Sequence, residues 1–190
     1  MSSIQNILES VDLLYKRQTT IQGIFKTNYG YDFDGVLHIS VTQPDKTGQR
    51  HAKIWYGPYH AETWYGPYKP FKKIIEKIKN NLSDGDNVYI ITARSSDSQP
   101  TINKFLEDNN LSELKDKVYY TDNQDKTVVL NNLQINEFYD DSCLRINELS
   151  SKMKNNLLPH LKKLYFVEPE KLSWIEASDE IIKKECEKYK

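Results

Sequence analysis

The sequence predicts an α/β fold: a parallel sheet of about five strands, with helices on both faces and a small insertion after the first strand. Short apolar runs typical of buried strands alternate with segments whose apolar residues recur at helical spacing. No linker-like stretch divides the 190 residues. Because a chain of this length can bury one sizeable core, we expect a single domain over residues 1–190.

The N-terminal part is predicted to hold a helix, a strand and the insertion. Apolar residues at helical spacing predict a helix over about residues 3–17. A β-prone stretch follows and ends near Asp32, just before an Asp-Gly turn signal. Residues 38–69 show no sustained period and repeat the string WYGPY. We therefore expect a long loop, flap or small cap there.

From Pro70 onward the pattern becomes regular. A helix is predicted to begin at Pro70, which suits a first turn, and to end at the Asp84-Gly85 stop signal. The apolar run NVYIIT at 87–92 predicts a buried strand. The remaining elements are expected in this order: a helix from Pro100, a strand KVYYT at 117–121, a helix near Val128, a strand INEFY at 135–139, a helix over 144–158, a strand KKLYFVE at 162–168, and a closing helix with Ile175, Ile181, Ile182 and Cys186.

Charge and composition exclude several classes of protein. The 26 basic and 27 acidic residues give a net charge of −1, so no global positive field attracts nucleic acid or an anionic membrane. No apolar run approaches the roughly 20 residues that cross a bilayer, and no secretory signal is present, so we expect a cytoplasmic protein. Cys143 and Cys186 lack metal-site spacing and are expected to be reduced, structural thiols.

Carboxylates follow two of the predicted strands. Asp32 and Asp34 come after the first strand, and Asp140 and Asp141 come after the fourth. Ligands of open α/β sheets bind outside the carboxyl ends of the strands, so these side chains are expected to converge. Clustered carboxylates repel one another, and a divalent cation relieves the repulsion. An oxygen-only set of ligands suits Mg²⁺.

Other polar residues are expected near the same edge. Thr92 and Arg94 follow the second strand, and Lys126 begins the helix that leads into the fourth. Thr92 could equally just end its strand, and Lys126 could be a solvated helix-start residue. Arg94 either contacts substrate or pairs with a surface carboxylate. His38 is either a substrate-binding residue or a loop histidine with a satisfied hydrogen bond.

Phosphate-loop, EF-hand, dinucleotide-binding and nucleophile-elbow motifs are absent from the sequence. Four other segments together resemble the motifs of the haloacid dehalogenase (HAD-like) superfamily of phosphohydrolases. They are YDFDGVLH at 31–38, YIITAR at 89–94, Lys126 and FYDDS at 138–142. The resemblance extends over about residues 28–168 and implies a Rossmann-like domain with a fifth strand after the fourth motif.

The resemblance also implies a Mg²⁺-dependent phosphatase, a hydrolase of phosphoric monoesters. Asp32 would be the nucleophile and form an aspartyl-phosphate, while Asp34 would act as general acid and then general base. The metal would be held by the Asp32 side chain, the Asp34 backbone carbonyl and the Asp141 carboxylate, with Asp140 either contacting the metal or lying just behind its ligands. The resemblance leaves open which of Asp140 and Asp141 is the direct ligand. Thr92 and Lys126 would bind the phosphoryl oxygens.

The insertion suggests a substrate class. Its tryptophans Trp55 and Trp64, together with tyrosines and basic residues, could stack a base and attract phosphate, so a nucleotide or a polynucleotide end is the expected substrate. The same rings could instead pack onto the sheet edge and rigidify a loop. The alternative function is a non-catalytic HAD-like module that binds a phosphorylated partner.

Overall fold

The protein is described here by a computed structural model that covers residues 26–40, 68–168 and 171–186. In these residues the elements are, in chain order, β1 (Asn28–Tyr31), β2 (His38–Ser40), β3 (Tyr68–Pro70), α1 (Lys72–Ser83), β4 (Asn87–Thr92), α2 (Gln99–Asp108), β5 (Val118–Tyr120), α3 (Thr127–Asn132), β6 (Glu137–Asp140), α4 (Cys143–Lys154), β7 (Lys163–Glu168), β8 (Ser173–Glu176) and α5 (Asp179–Cys186). Short 3₁₀ helices span Ser96–Ser98 and Ser112–Lys117. No helix in this part of the chain is long and apolar enough to cross a membrane.

The main sheet confirms the α/β prediction. Its six strands lie in the order β5-β4-β1-β6-β7-β8, and every neighbouring pair is parallel except β7 and β8. The five parallel strands therefore follow the order of a doubly wound Rossmann-like sheet. The chain winds outward in both directions from β1, so the topological switch point lies between β1 and β6.

Helices cover both faces of the sheet, as predicted. On one face α1 and α2 contribute Ile74, Ile78 and Ile102 to a core with the sheet residues. On the other face α3, α4 and α5 contribute Leu130, Ile146 and Ile182 to a second core. Burial of these apolar side chains holds the strand ends that carry the polar residues in place.

The prediction was wrong at several element boundaries. The helix predicted over 144–158 already ends at Lys154, and two other differences depend on neighbouring strands. Ile175 belongs to β8 and pairs with Phe166 of β7, so it is not part of the closing helix. Pro70 ends β3 opposite His38 of β2, and α1 begins only at Lys72. The spacing of six residues between Ile175 and Ile181 fits neither the strand period nor the helix period. Only the pairing of Ile175 with Phe166 of β7 shows that it belongs to a strand.

The predicted insertion begins and ends in the antiparallel strands β2 and β3. The backbone N–H of Phe71 donates to the Leu37 carbonyl at 2.8 Å, which joins the base of this insertion to the loop after β1. The predicted helix over residues 3–17, and both Trp55 and Trp64, lie outside the described residues.

The expectation of reduced cysteines was wrong: Cys143 and Cys186 form a disulfide. Cys143 is the first residue of α4 and Cys186 the last of α5, and packing of these helices brings their Cα atoms to 5.4 Å. A separation of 43 residues in sequence gives no sign of this contact. Because disulfides are rare in cytosolic proteins, the predicted cytoplasmic location stays a prediction.

Candidate active site

Three carboxylates meet at the switch point of the sheet. Asp32 directly follows β1, Asp140 ends β6, and Asp141 comes next. One oxygen from each of the three lies within 4.8 Å of the others. This is the crevice in which doubly wound sheets bind their ligands. The convergence predicted from the strand ends is therefore present.

Lys126 lies between two of these carboxylates. Its Nζ is 3.0 Å from Asp32 Oδ2 and 2.9 Å from Asp140 Oδ2, and its side chain is only 1% exposed. The alternative of a solvated helix-start residue is therefore wrong. Burial lowers the pKa of the Lys126 ammonium, but attraction to Asp32 and Asp140 outweighs burial and raises that pKa above its usual value.

Asp32 is buried and held in one orientation. Its Oδ1 accepts a hydrogen bond from the backbone N–H of Phe33 at 2.7 Å, and its own N–H donates to the Tyr139 carbonyl at 2.9 Å. Burial raises the pKa of Asp32 to about 7, although Lys126 acts in the opposite direction. The two hydrogen bonds with the backbone of Phe33 and Tyr139 thus fix the orientation of Asp32.

Asp140 and Asp141 have different surroundings. Asp140 accepts from Lys126 Nζ through Oδ2 and from the Ser142 N–H through Oδ1 at 2.9 Å, so both of its oxygens are engaged. Within the described residues no donor hydrogen-bonds to the carboxylate of Asp141. Burial, followed by the charges of Asp140 and Asp32, raises the pKa of Asp141 well above its usual value.

Gly35 makes room for the Asp141 side chain. A Cβ at position 35 would overlap the Asp141 carboxylate, and the φ of Gly35 is +72°, a conformation that side chains disfavour. Glycine is thus required here both by the turn after Asp34 and by the close approach of a carboxylate from the β6 end. An Asp-Gly turn was recognisable in the sequence, but the approach of Asp141 was not.

Asp34 forms an ion pair with Arg94. Arg94 Nε donates to Asp34 Oδ2 at 2.8 Å and Nη2 donates to Oδ1 at 2.6 Å, while His38 Nδ1 lies 3.7 Å from Oδ1. Partial burial raises the pKa of Asp34, but the nearby His38 and the hydrogen bonds from Arg94 outweigh it and bring the pKa to about 2. Of the two alternatives for Arg94, pairing with a carboxylate is observed, and that carboxylate belongs to the site.

Thr92 lies at the same edge but makes different contacts. It is fully buried at the end of β4, and its hydroxyl accepts from the Arg94 N–H at 3.2 Å. Its carbonyl accepts from the N–H and the hydroxyl of Thr121, at 2.9 and 3.1 Å. Within the described residues the hydrogen bonds of Thr92 thus reach neighbouring loops and not the carboxylates.

Phe33 and Ser142 were missed by sequence reasoning. Phe33 is buried, and its ring lies 5.1 Å from the Arg94 guanidinium and 5.2 Å from the His38 ring. Ser142 caps α4 by accepting from the Arg145 N–H, while its own N–H holds Asp140. The only sequence signals were an apolar residue between two aspartates and a serine before a helix.

The fold and site define a doubly wound α/β protein with an acidic cluster and a buried lysine at the switch point. The sequence is 42% identical over 164 residues to an uncharacterized protein of Acanthamoeba polyphaga mimivirus. The match takes in 84% of this chain and 31% of the viral protein, so the chain spans about a third of the length of that relative. No protein-family model and no solved structure matches the chain.

Proposed function

We propose that the protein is a HAD-like, Mg²⁺-dependent phosphomonoester hydrolase that forms an aspartyl-phosphate on Asp32. One observation carries the proposal: Asp32 stands at the switch point beside Asp140, Asp141 and the buried ammonium of Lys126. A nucleophilic carboxylate needs neighbouring positive charge to approach a phosphoryl group. This arrangement also agrees with the four motifs that the sequence shares with that superfamily.

The residues fit a Mg²⁺ ion in the chemistry of their donors. The cluster offers only oxygen ligands, and those of Asp32, Asp140 and Asp141 are close enough for one cation to contact. Asp141 is the better direct ligand, because both oxygens of Asp140 already accept hydrogen bonds. Asp140 would then act by orienting Lys126.

In the proposed reaction Asp32 attacks phosphorus through Oδ2, the oxygen beside Lys126 Nζ, while the Phe33 N–H holds Oδ1. Bound Mg²⁺ would supply charge masking for the phosphoryl oxygens and favour the ionised form of Asp32. Lys126 and the Thr92 hydroxyl would bind the remaining phosphoryl oxygens. Asp34 would give a proton to the leaving oxygen and later accept one from the attacking water.

A panel of phosphomonoesters assayed with Mg²⁺ and with EDTA tests the proposal. Hydrolysis should require Mg²⁺ and should fall by about 10⁴-fold or more in Asp32→Asn, because the covalent route is closed. Asp108→Asn is the control, since it removes an exposed carboxylate on α2 that pairs with Lys104. When turnover of a substrate with a labelled phosphate is quenched, hydroxylamine should release labelled phosphate from the wild-type protein, because it cleaves an aspartyl-phosphate. It should release none from Asp32→Asn. Wild-type activity in Asp32→Asn would refute the mechanism.

A non-catalytic module that binds a phosphorylated partner is the second candidate. One observation favours it: Asp34 is ion-paired with Arg94 and has a pKa of about 2, so it carries no proton at neutral pH. This candidate predicts tight binding of phosphorylated ligands and no turnover of any phosphoester in the panel. Calorimetry with the same ligands separates the two functions.

The substrate class proposed from the insertion is a nucleotide or a polynucleotide end. The proposal rests on the sequence of residues 41–67, which lie outside the described residues. Trp55→Ala or Trp64→Ala should raise KM for nucleotide esters without changing Tm if the rings stack on a base. Equal effects on nucleotide and sugar phosphates, with a lowered Tm, would instead show a packing role.

A further inference from the structure

The Arg94–Asp34 ion pair lies at the rim of the site, not inside it. The side chain of Arg94 is 18% exposed and that of Asp34 is 50% exposed, whereas Lys126 is 1% exposed. Each oxygen of Asp34 accepts one hydrogen bond from the guanidinium. The pair can therefore exchange partners with an anion that arrives from solvent, because no core side chain has to move.

The ion pair also engages the Asp34 carboxylate, which the proposed reaction requires as its general acid and base. Asp34 has to turn an oxygen toward the leaving group, and in this structure both of its oxygens face Arg94. When Asp34 turns away, the Nε–H and Nη2–H groups that it accepted from need another acceptor. A guanidinium fork binds carboxylate and phosphate oxygens with the same two-bonded geometry, so an anionic group of the ligand is a matched replacement.

The surroundings of Arg94 would survive such an exchange. The backbone of Arg94 is anchored, since its N–H donates to the Thr92 hydroxyl and its carbonyl accepts from the Asp122 N–H. The guanidinium carbon lies 5.1 Å from the centre of the Phe33 ring, within the distance of a cation–π contact that does not depend on Asp34. Arg94 can therefore keep its position while its hydrogen bonds pass from Asp34 to a ligand.

We propose that Arg94 is a specificity residue that binds a second anionic group of the substrate and, in doing so, releases Asp34. The preferred substrates are phosphomonoesters that carry a second phosphate, a phosphodiester or a carboxylate. The inference rests on the proposed function, in which the released Asp34 acts as general acid and base. It also gives the Arg94–Asp34 ion pair a role in the proposed reaction.

Kinetics with matched substrates test this role. Each pair differs in one anionic group: a nucleoside 3′,5′-bisphosphate against the 5′-monophosphate, and phosphoglycerate against glycerol phosphate. The wild type should prefer the doubly anionic member of a pair in kcat/KM by about ten- to a hundredfold, the effect of one or two charge-assisted hydrogen bonds. A preference in the first pair alone indicates a nucleotide source, and one in the second alone a carboxylated metabolite.

Variants of Arg94 should remove that preference selectively. Arg94→Ala should lower the ratio of kcat/KM for the doubly anionic member of each pair to kcat/KM for the singly anionic member by about ten- to a hundredfold, whatever happens to the absolute rates. Arg94→Lys keeps the charge but lacks the planar guanidinium fork, so its preference for doubly anionic substrates should lie between those of the wild type and Arg94→Ala. It also serves as the test variant if Arg94→Ala does not fold. Arg145→Ala is the control, because Arg145 pairs with Glu148 on α4. An equal loss for both members of each pair would show that Arg94 only positions Asp34, and would overturn the proposal.

A direct measurement of Arg94 needs no turnover. The chain has only four arginines, so the side-chain Nε–H signal of Arg94 can be assigned in a ¹⁵N NMR spectrum by comparison with Arg94→Lys. Adding a doubly anionic ligand to the wild type should shift this signal, and adding its singly anionic partner should not. If no phosphoester is hydrolysed but the shift is seen, the hydrolase proposal fails while the binding role of Arg94 stands. If neither ligand of either pair shifts the signal, Arg94 does not bind a second anion.

Discussion

Lys126→Met is expected to destabilise the protein strongly. It replaces a buried ammonium, with two carboxylate oxygens at 3.0 and 2.9 Å, by an apolar side chain of similar length. At an effective dielectric constant of about 20, each of these contacts has a gross attraction of roughly 5–6 kcal/mol, most of which offsets desolvation. Removing one partner of a buried pair typically costs about 3–5 kcal/mol, and we expect a loss of that size.

The carboxylates left behind determine how this loss depends on pH. Oxygens of Asp32, Asp140 and Asp141 within 4.8 Å repel by roughly 3 kcal/mol per pair at the same dielectric constant, so the variant should take up a proton. Lys126 lowers the pKa of Asp32, and without it that pKa should lie above the wild-type value of about 7. A raised carboxyl pKa destabilises the folded state from about pH 4 upward, where the unfolded group is ionised. The loss should therefore be larger at pH 8 than at pH 5.

Urea unfolding followed by circular dichroism in EDTA measures this loss. With a slope of about 2–3 kcal/mol per molar urea, the midpoint at pH 8 should fall by roughly 1–2 M. Lys104→Met removes an exposed lysine of α2 and should leave the midpoint unchanged. The reasoning is refuted if Lys126→Met is as stable as the wild type at pH 8, or if its loss is larger at pH 5.

Three further predictions follow from the same site and its supporting helix. Gly35→Ala should displace Asp141 and weaken Mg²⁺ binding at least tenfold by calorimetry, with the protein still folded, because a Cβ there overlaps the carboxylate; unchanged affinity would contradict the close approach. Mg²⁺ binding should release protons at pH 6 and fewer at pH 8, because burial raises the pKa of Asp32 to about 7 and that of Asp141 well above its usual value; calorimetry in buffers of different ionisation enthalpy measures the number, and none at pH 6 would argue against the cluster as the metal site. Replacing Cys143 and Cys186 by serine should lower the free energy of unfolding by about 4 kcal/mol, the loop-entropy value for a 43-residue separation; equal urea midpoints for the serine variant and the oxidised wild type would show that the bridge does not stabilise the fold.

Local sequence signals were sufficient for most elements and failed where a neighbour was needed. The apolar run at 87–92 became β4 with the predicted bounds, since a buried strand is apolar on both faces. Ile175 was assigned to the wrong element because strand β8 exists only by pairing with β7. Pro70 suits both a helix start and a strand end, and its pairing with His38 makes it the end of strand β3.

In the candidate site, too, some contacts could be predicted from the sequence and others could not. The convergence of Asp32, Asp140 and Asp141 was predictable, because residues that follow parallel strands share one edge of the sheet. The Arg94–Asp34 pair was not, because the two residues are 60 positions apart and the sequence offered Arg94 two partners. Whether residues 41–67 contact substrate stays a prediction.

The sequence by itself determined the α/β class, the order along the chain of the five parallel strands and the helices between them, and the edge on which the carboxylates gather. Those properties depend on periodicity and on the direction of the strands, and both can be read locally. Only the tertiary structure decided that Lys126 is buried between two carboxylates, that Arg94 holds Asp34, and that α4 and α5 are joined by a disulfide. Each of these depends on distances between side chains from separate elements, which the packing of the helices and strands sets and no local pattern encodes.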